Sequence, residues 1–137
     1  MAAYWLFKSD PEHYGFSDLV REGRTVWDGV SNNLALKNLR AVRPGDTALI
    51  YHTGGEKCIV GVAEITSEPY PDPKQMNTRL VVVDIKALHA LPGPVPLDKI
   101  KKESTLQDFD LVRLPRLSVM PVSNAQWKTL LQLAGVG

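Results

Sequence analysis

The stretch Thr47-Ala-Leu-Ile-Tyr-His-Thr-Gly-Gly-Glu-Lys-Cys-Ile-Val-Gly-Val-Ala-Glu-Ile-Thr66 decides the fold class. Thr47–His52 is a run of high β propensity, and Cys58–Thr66 is a second one. Pro44-Gly45-Asp46 turns the chain into the first run, and Gly54-Gly55 connects the two flexibly, so a hairpin is the simplest arrangement. Gly61 has no side chain to pack inside a strand, which marks a bulge or a close approach of something to the backbone. The tip, Gly54-Gly55-Glu56-Lys57, only superficially resembles a phosphate cradle.

Strand signals continue on both sides of the hairpin. Tyr4–Lys8 alternates, with Trp5 and Phe7 on one face, and Pro11 stops it. Leu80–Leu91 reads as a long strand with Val81, Val83, Ile85 and Ala87 on its buried face, ended by Pro92, Pro94 and Pro96. Leu117–Val122 is a last strand. Pro69, Pro71 and Pro73 make a stiff irregular loop that cannot join a central ladder and separates two halves of a sheet.

Helices are few and short. Ser17 is placed to cap one that runs through Glu22 and stops at Gly23. Asn32 or Asn33 caps another running to about Val42, with Ala35, Leu39 and Val42 at helical spacing. Leu97–Lys102 and Leu106–Phe109 read as helical fragments, the second capped by Ser104 or Thr105. Ser123-Asn124-Ala125-Gln126 is a capping box, with Val122 and Trp127 spaced for a hydrophobic staple, and that helix ends at Gly135. Short strands with bulge signals, and few helices long enough to cross over, predict an α+β fold: a small, mostly antiparallel barrel with helices outside.

The length of 137 residues fits one domain, taken as residues 1–137. No apolar run approaches the roughly 20 residues that span a bilayer. No basic leader precedes the short apolar run at the N-terminus, so a cytoplasmic protein is expected, and a monomer. Cys58 is the only cysteine, which excludes an internal disulfide and a multi-cysteine zinc site. His13, His52 and His89 have no spacing that gathers them on a metal, and neither metal nor cofactor is expected. The net charge of +1 argues against a protein that grips nucleic acid by neutralising many phosphates. Any such binding has to be local.

Four segments carry more polar and aromatic groups than a scaffold needs: Lys8–Pro11, Trp27–Asn33, Tyr51–Thr53 and Arg113–Met120. In the second, Asp28-Gly29 favours a tight bend that leaves the Trp27 indole free beside Asp28, Val30 and the amides of Asn32 and Asn33. That suits a flat polar ligand stacked on Trp27; the competing reading is a core tryptophan followed by a loop and a helix cap. Lys8 can meet a phosphate or carboxylate and Ser9 a ligand edge, or they can simply close a strand. His52 beside Tyr51 is a base, a ligand-edge donor or a satisfied strand-end histidine. Lys37, Arg40, Arg113 and Arg116 suit backbone phosphates at a rim, or open solvent. Lys8, Asp28 and His52 would make an acid–base set, and Ser9 with His52 a nucleophile pair, in a small enzyme acting on a nucleoside or RNA. No nucleophile elbow, phosphate loop or dinucleotide fingerprint accompanies them.

Taken together, the segments Tyr4–Pro11, Trp27–Asn32, Arg43–Asp46, Tyr51-His52, Val60–Ile65, Tyr70–Pro73 and Arg116–Val122 resemble the EVE domain of the PUA-like superfamily, in the same order from Tyr4 to Gly135. The resemblance implies a small bent β-barrel with flanking helices and a pocket at one end. It also implies a non-catalytic reader of a modified base in nucleic acid, DNA or RNA, with modified cytosine in DNA foremost. Trp27, Asn32, Tyr51 and His52 match positions expected at that pocket, and Lys8, Ser9 and Ser118 match segments that line it. The match departs at Ser31, where the family usually has Arg, at Asp10, where it has Glu, and at Thr53, where it has Ser. The loop from Pro73 to Leu80 is shorter than usual and lacks the tryptophan that commonly follows it. A small-molecule-binding domain is the remaining alternative.

Overall fold

The computed structural model describes residues 2–136. In chain order its elements are β1 (Tyr4–Ser9), α1 (Phe16–Glu22), β2 (Arg24–Trp27), α2 (Asn33–Ala41), β3 (Thr47–His52) and β4 (Cys58–Ile65). There follow β5 (Tyr70–Pro71), β6 (Val81–Pro96), α3 (Leu97–Lys102), a 3₁₀ turn (Ser104–Leu106), α4 (Asp110–Arg113), β7 (Val119–Val122) and α5 (Asn124–Leu133). The fold is α+β, with seven strands in one mixed sheet ordered β2-β6-β4-β3-β1-β7 and β5 added on β6. Every pairing is antiparallel except β1 with β3. The path is open, since β2 and β7 at its ends do not pair with each other. No helix of the described residues is long and apolar enough to cross a membrane.

The β3–β4 hairpin forms as its sequence predicts, and the bulge falls beside Gly61. Ile50 faces Gly61 while Tyr51 faces Ile59, which leaves Val60 as the extra residue on β4. Gly61 also serves the close approach: a Cβ there would stand 2.3 Å from Cζ of Phe16, so the phenyl ring lies directly on the strand. Leu6 and Phe7 of β1, Leu36 and Leu39 of α2, Leu49 and Ile50 of β3 and Ile85 of β6 are fully buried between sheet and helices. Asp46, the buried acid of the turn before β3, accepts from the backbone N–H of Ala3 and Arg43 and from Nε1 of Trp5, each at 2.9 Å. It ties that turn to the start of β1.

Several elements differ from the sequence reading. Arg24–Trp27 is a strand, held at the end of the sheet by β6 from Arg24↔Lys86 to Trp27↔Val83. Gly15 rather than Ser17 is the N-cap of α1, and its N–H donates to Asp18 at 2.8 Å. β6 does not end at Pro92. Its ladder with β4 jumps from Ala90↔Gly61 to Val95↔Ile59, so Leu91–Pro94 is looped out and Pro92 and Pro94 owe no N–H to it. The N–H of Gly93 donates instead to the Ala134 carbonyl at the end of α5. Tyr70–Pro71 does join the sheet, as a two-residue strand paired with Val81 and Val82. The second helical fragment is displaced from Leu106–Phe109 into a 3₁₀ turn before it and α4 after it.

Candidate functional site

One cavity of about 680 Å³ collects residues from both ends of the sheet path: Thr25, Val26 and Trp27 from β2, Lys8 and Ser9 from β1, and Ser118 leading into β7. Residues of β1, of β2 and of the segment entering β7 thus share one cavity. Its volume is in the range of small-molecule sites, roughly 300–1,000 Å³. Asp28, Gly29 and Val30 complete one side, and Asp10, His13, Tyr14 and Lys74 another. Gly29 has φ 79°, the left-handed bend that the Asp28-Gly29 pair predicts.

Trp27 satisfies both readings of its sequence. It is 7% exposed, with its ring 5.6 Å from Phe7 and edge-on to Tyr14 at 6.4 Å, and it still lines the cavity. These two aromatic contacts, with Phe7 outside the cavity lining and Tyr14 within it, restrain the plane of the indole. Lys8 is half-buried, its Nζ donating to the Pro115 carbonyl at 2.7 Å, and burial pushes its ammonium pKa down. Ser9 donates its hydroxyl to the Tyr14 carbonyl, which leaves the Ser9 oxygen as an acceptor. Tyr14 donates to Glu22 at 2.6 Å; burial, then that carboxylate, raise its phenol pKa. Asp10 accepts from the Glu12 N–H and sits 3.0 Å from His13, contacts that lower its carboxyl pKa, the backbone bond most. The cavity thus joins an indole wall to cationic, anionic and neutral polar groups. Among the described residues no cluster of three His, Cys, Asp or Glu side chains is arranged to hold a metal.

Seven of the residues singled out from sequence come together here: Lys8, Ser9, Trp27, Asp28, Gly29, Val30 and Ser118. The others do not line this cavity. Asn32 is the N-cap of α2, and its Oδ1 accepts from the Ala35 N–H at 3.0 Å, which commits the acceptor to the helix. Tyr51 is buried with the Lys8 ammonium 5.6 Å from its ring centre. His52 is buried: its Nε2 accepts from the Phe16 N–H, and its Nδ1 lies 2.9 Å from Glu56. The strand-end reading of this histidine holds, because α1 packs over the end of β3 and needs a partner for its first N–H. Asn32, Arg113 and Arg116 line a second, smaller cavity. Lys37 is an exposed residue of α2, and Arg40 donates to the Arg79 carbonyl.

Tyr14 and Lys74 also line the cavity, as do Thr25 and Val26, which begin the Trp27 stretch without a role of their own in the sequence, and His13, which the sequence offers only as a candidate metal ligand. Recognising β2 would have brought in Thr25 and Val26. Nothing local identifies Lys74, whose loop is held from within, by Lys74 N–H to Asp72, and from across, by Arg79 to Ser31 and Asn33. The Arg79 guanidinium thus reaches the Ser31 carbonyl at 3.1 Å, inside the Trp27–Asn33 stretch.

Comparison with known proteins agrees with this architecture. The EVE domain family model matches residues 3–133. Thymocyte nuclear protein 1 of Rattus norvegicus is 28% identical over 97% of this chain and 74% of its own length. A Rhodopseudomonas palustris protein solved by NMR is 42% identical, with a TM-score of 0.93 over 98% of this chain and 94% of its own. Human THYN1, solved in complex with DNA containing 5-methylcytosine, is 26% identical with a TM-score of 0.89, over 97% of this chain and 98% of its own. With a family model spanning nearly all of its length and the same fold in these relatives, this chain belongs to the EVE domain family.

Proposed function

We propose that this protein binds nucleic acid without turning it over and holds a modified base, modified cytosine in DNA foremost, in the cavity beside Trp27. The observation that carries the reading is the cavity itself: an indole braced by Phe7 and Tyr14, next to Asp28 and Lys8. A cytosine edge offers an amine donor and carbonyl and ring-nitrogen acceptors, which Asp28 and Lys8 complement in sign. Val26 and Val30 give an added methyl group an apolar neighbour. The DNA complex of human THYN1, a relative of the same fold, supports DNA as the partner. The sharing of one cavity by β1, β2 and the segment entering β7 supports the bent, barrel-like form that the resemblance implies.

Binding without catalysis is supported by His52. The base that an acid–base set would need lies outside the cavity lining, with both ring nitrogens engaged. Stacking of about 1–3 kcal/mol per base supplies a useful share of micromolar affinity, which suits a protein of net charge +1.

Titration of short oligonucleotides carrying 5-methylcytosine or cytosine, as DNA and as RNA, against the intrinsic tryptophan fluorescence tests the reading. The methylated DNA should bind more tightly, and Trp27→Ala should remove the difference. Equal or absent binding to all of them sinks the proposal.

A further inference from the structure

A second cavity of about 340 Å³ is lined by Pro115, Arg116 and Leu117, which run directly into Ser118 of the first, so Pro115–Ser118 is the wall between them. Consecutive residues divide them: Leu117 lines the second and Ser118 the first. Lys8 donates from the first side to the Pro115 carbonyl, which holds this wall in place. The chain between them is a single pass, with a turn at Pro115-Arg116, closed by Leu117 N–H to the Leu114 carbonyl, and a bend at Ser118.

Leu34, Leu114, Pro115 and Leu117 make the second cavity apolar, and Leu34 leaves 42% of its surface open on the first turn of α2. Arg113 and Arg116 supply the charge at this site, and no carboxylate lines it. Arg113 has Asp110 at 3.6 Å, whereas Arg116 makes no salt bridge among the described residues. Apolar walls with unbalanced guanidinium charge fit a flat group joined to an anion, because a guanidinium both stacks on a base and pairs with phosphate oxygens.

Resting on the reading of the first cavity, we propose that the second takes the base of the nucleotide adjacent to the modified one, with the linking phosphate on Arg116. A single nucleic-acid strand crossing the Pro115–Ser118 wall then presents one base to each side. Recognition of the modified base and contact with its neighbour are coupled through this one wall.

The test uses single-stranded DNA carrying one 5-methylcytosine, either intact or with the base removed from its 5′ or its 3′ neighbour while the phosphates remain. One of the two abasic strands should bind about tenfold more weakly than the intact strand, in keeping with the loss of one stacked base. Leu34→Ser, a change at an exposed position, should weaken the intact strand by a similar factor and respond no further to that abasic site. It should still prefer 5-methylcytosine over cytosine. If both abasic strands bind like the intact one, or Leu34→Ser stays as sensitive as the parent, the second site is wrong while the first stands. If the intact strand shows no dependence on methylation, the reading of the first cavity fails and this proposal falls with it.

Discussion

Single side chains do their work here through one or two short polar contacts. Tyr70 is the clearest case: its phenol donates to Asp84 at 2.6 Å, and ionising it would set two anions against each other. That hydrogen bond, more than burial, pushes the Tyr70 pKa up to about 12 from an ordinary 10.0. The unfolded chain releases this proton near 10.0 and the folded chain holds it to about 12, so the contribution is complete below pH 10 and is lost as pH rises through 12. Absorbance titration should show one of the four tyrosines ionising near 12, and Asp84→Asn should return it toward 10. A tyrosine titration that Asp84→Asn leaves unchanged removes the Asp84 contact from the account.

Between elements, His52 is a connector. His52 ends β3, and its ring accepts the first N–H of α1, while Glu56 from the hairpin holds the other nitrogen. His52→Ala leaves the buried Phe16 N–H without a partner, a loss of about 1–3 kcal/mol of stability. Denaturant unfolding should show that loss with base binding unchanged; unaltered stability with abolished binding would return His52 to the site. Element ends were otherwise the most legible part of the chain. Ser123 accepts from the Gln126 N–H and Gln126 accepts from the Ser123 N–H, the reciprocal pair that their spacing predicts. The long strand β6 was legible only to its first proline. Whether a proline breaks a strand depends on whether the partner asks for its N–H, and the register with β4 answers that from 30 residues away.

At the scale of the molecule, a net charge of +1 leaves affinity to a few cations near the cavities, chiefly Lys8, Lys74, Arg113 and Arg116. Two to four phosphate contacts on a single strand correspond to a log–log salt slope of roughly −1 to −3. Measuring the dissociation constant for a methylated oligonucleotide across a salt series should return a slope in that range. A much steeper one would mean an extended phosphate track that the cavities do not account for, and Lys37 and Arg40 on α2 would then need a direct role.

What the sequence determined by itself was local in its causes. The β3–β4 hairpin, the cap of α5 and the left-handed bend at Gly29 all follow from residues a few positions apart, and the EVE motifs add their order along the chain. Only the tertiary structure decided which polar residues share a cavity. It withdrew Asn32 to a helix cap and His52 to α1, and it brought in Tyr14 and Lys74. The physical reason is that a side chain at a strand end or in a loop takes the direction of its strongest available partner. For these residues the partner is set by how the sheet and helices pack, which gathers β2, β1 and the segment entering β7, far apart in the sequence, around the same space.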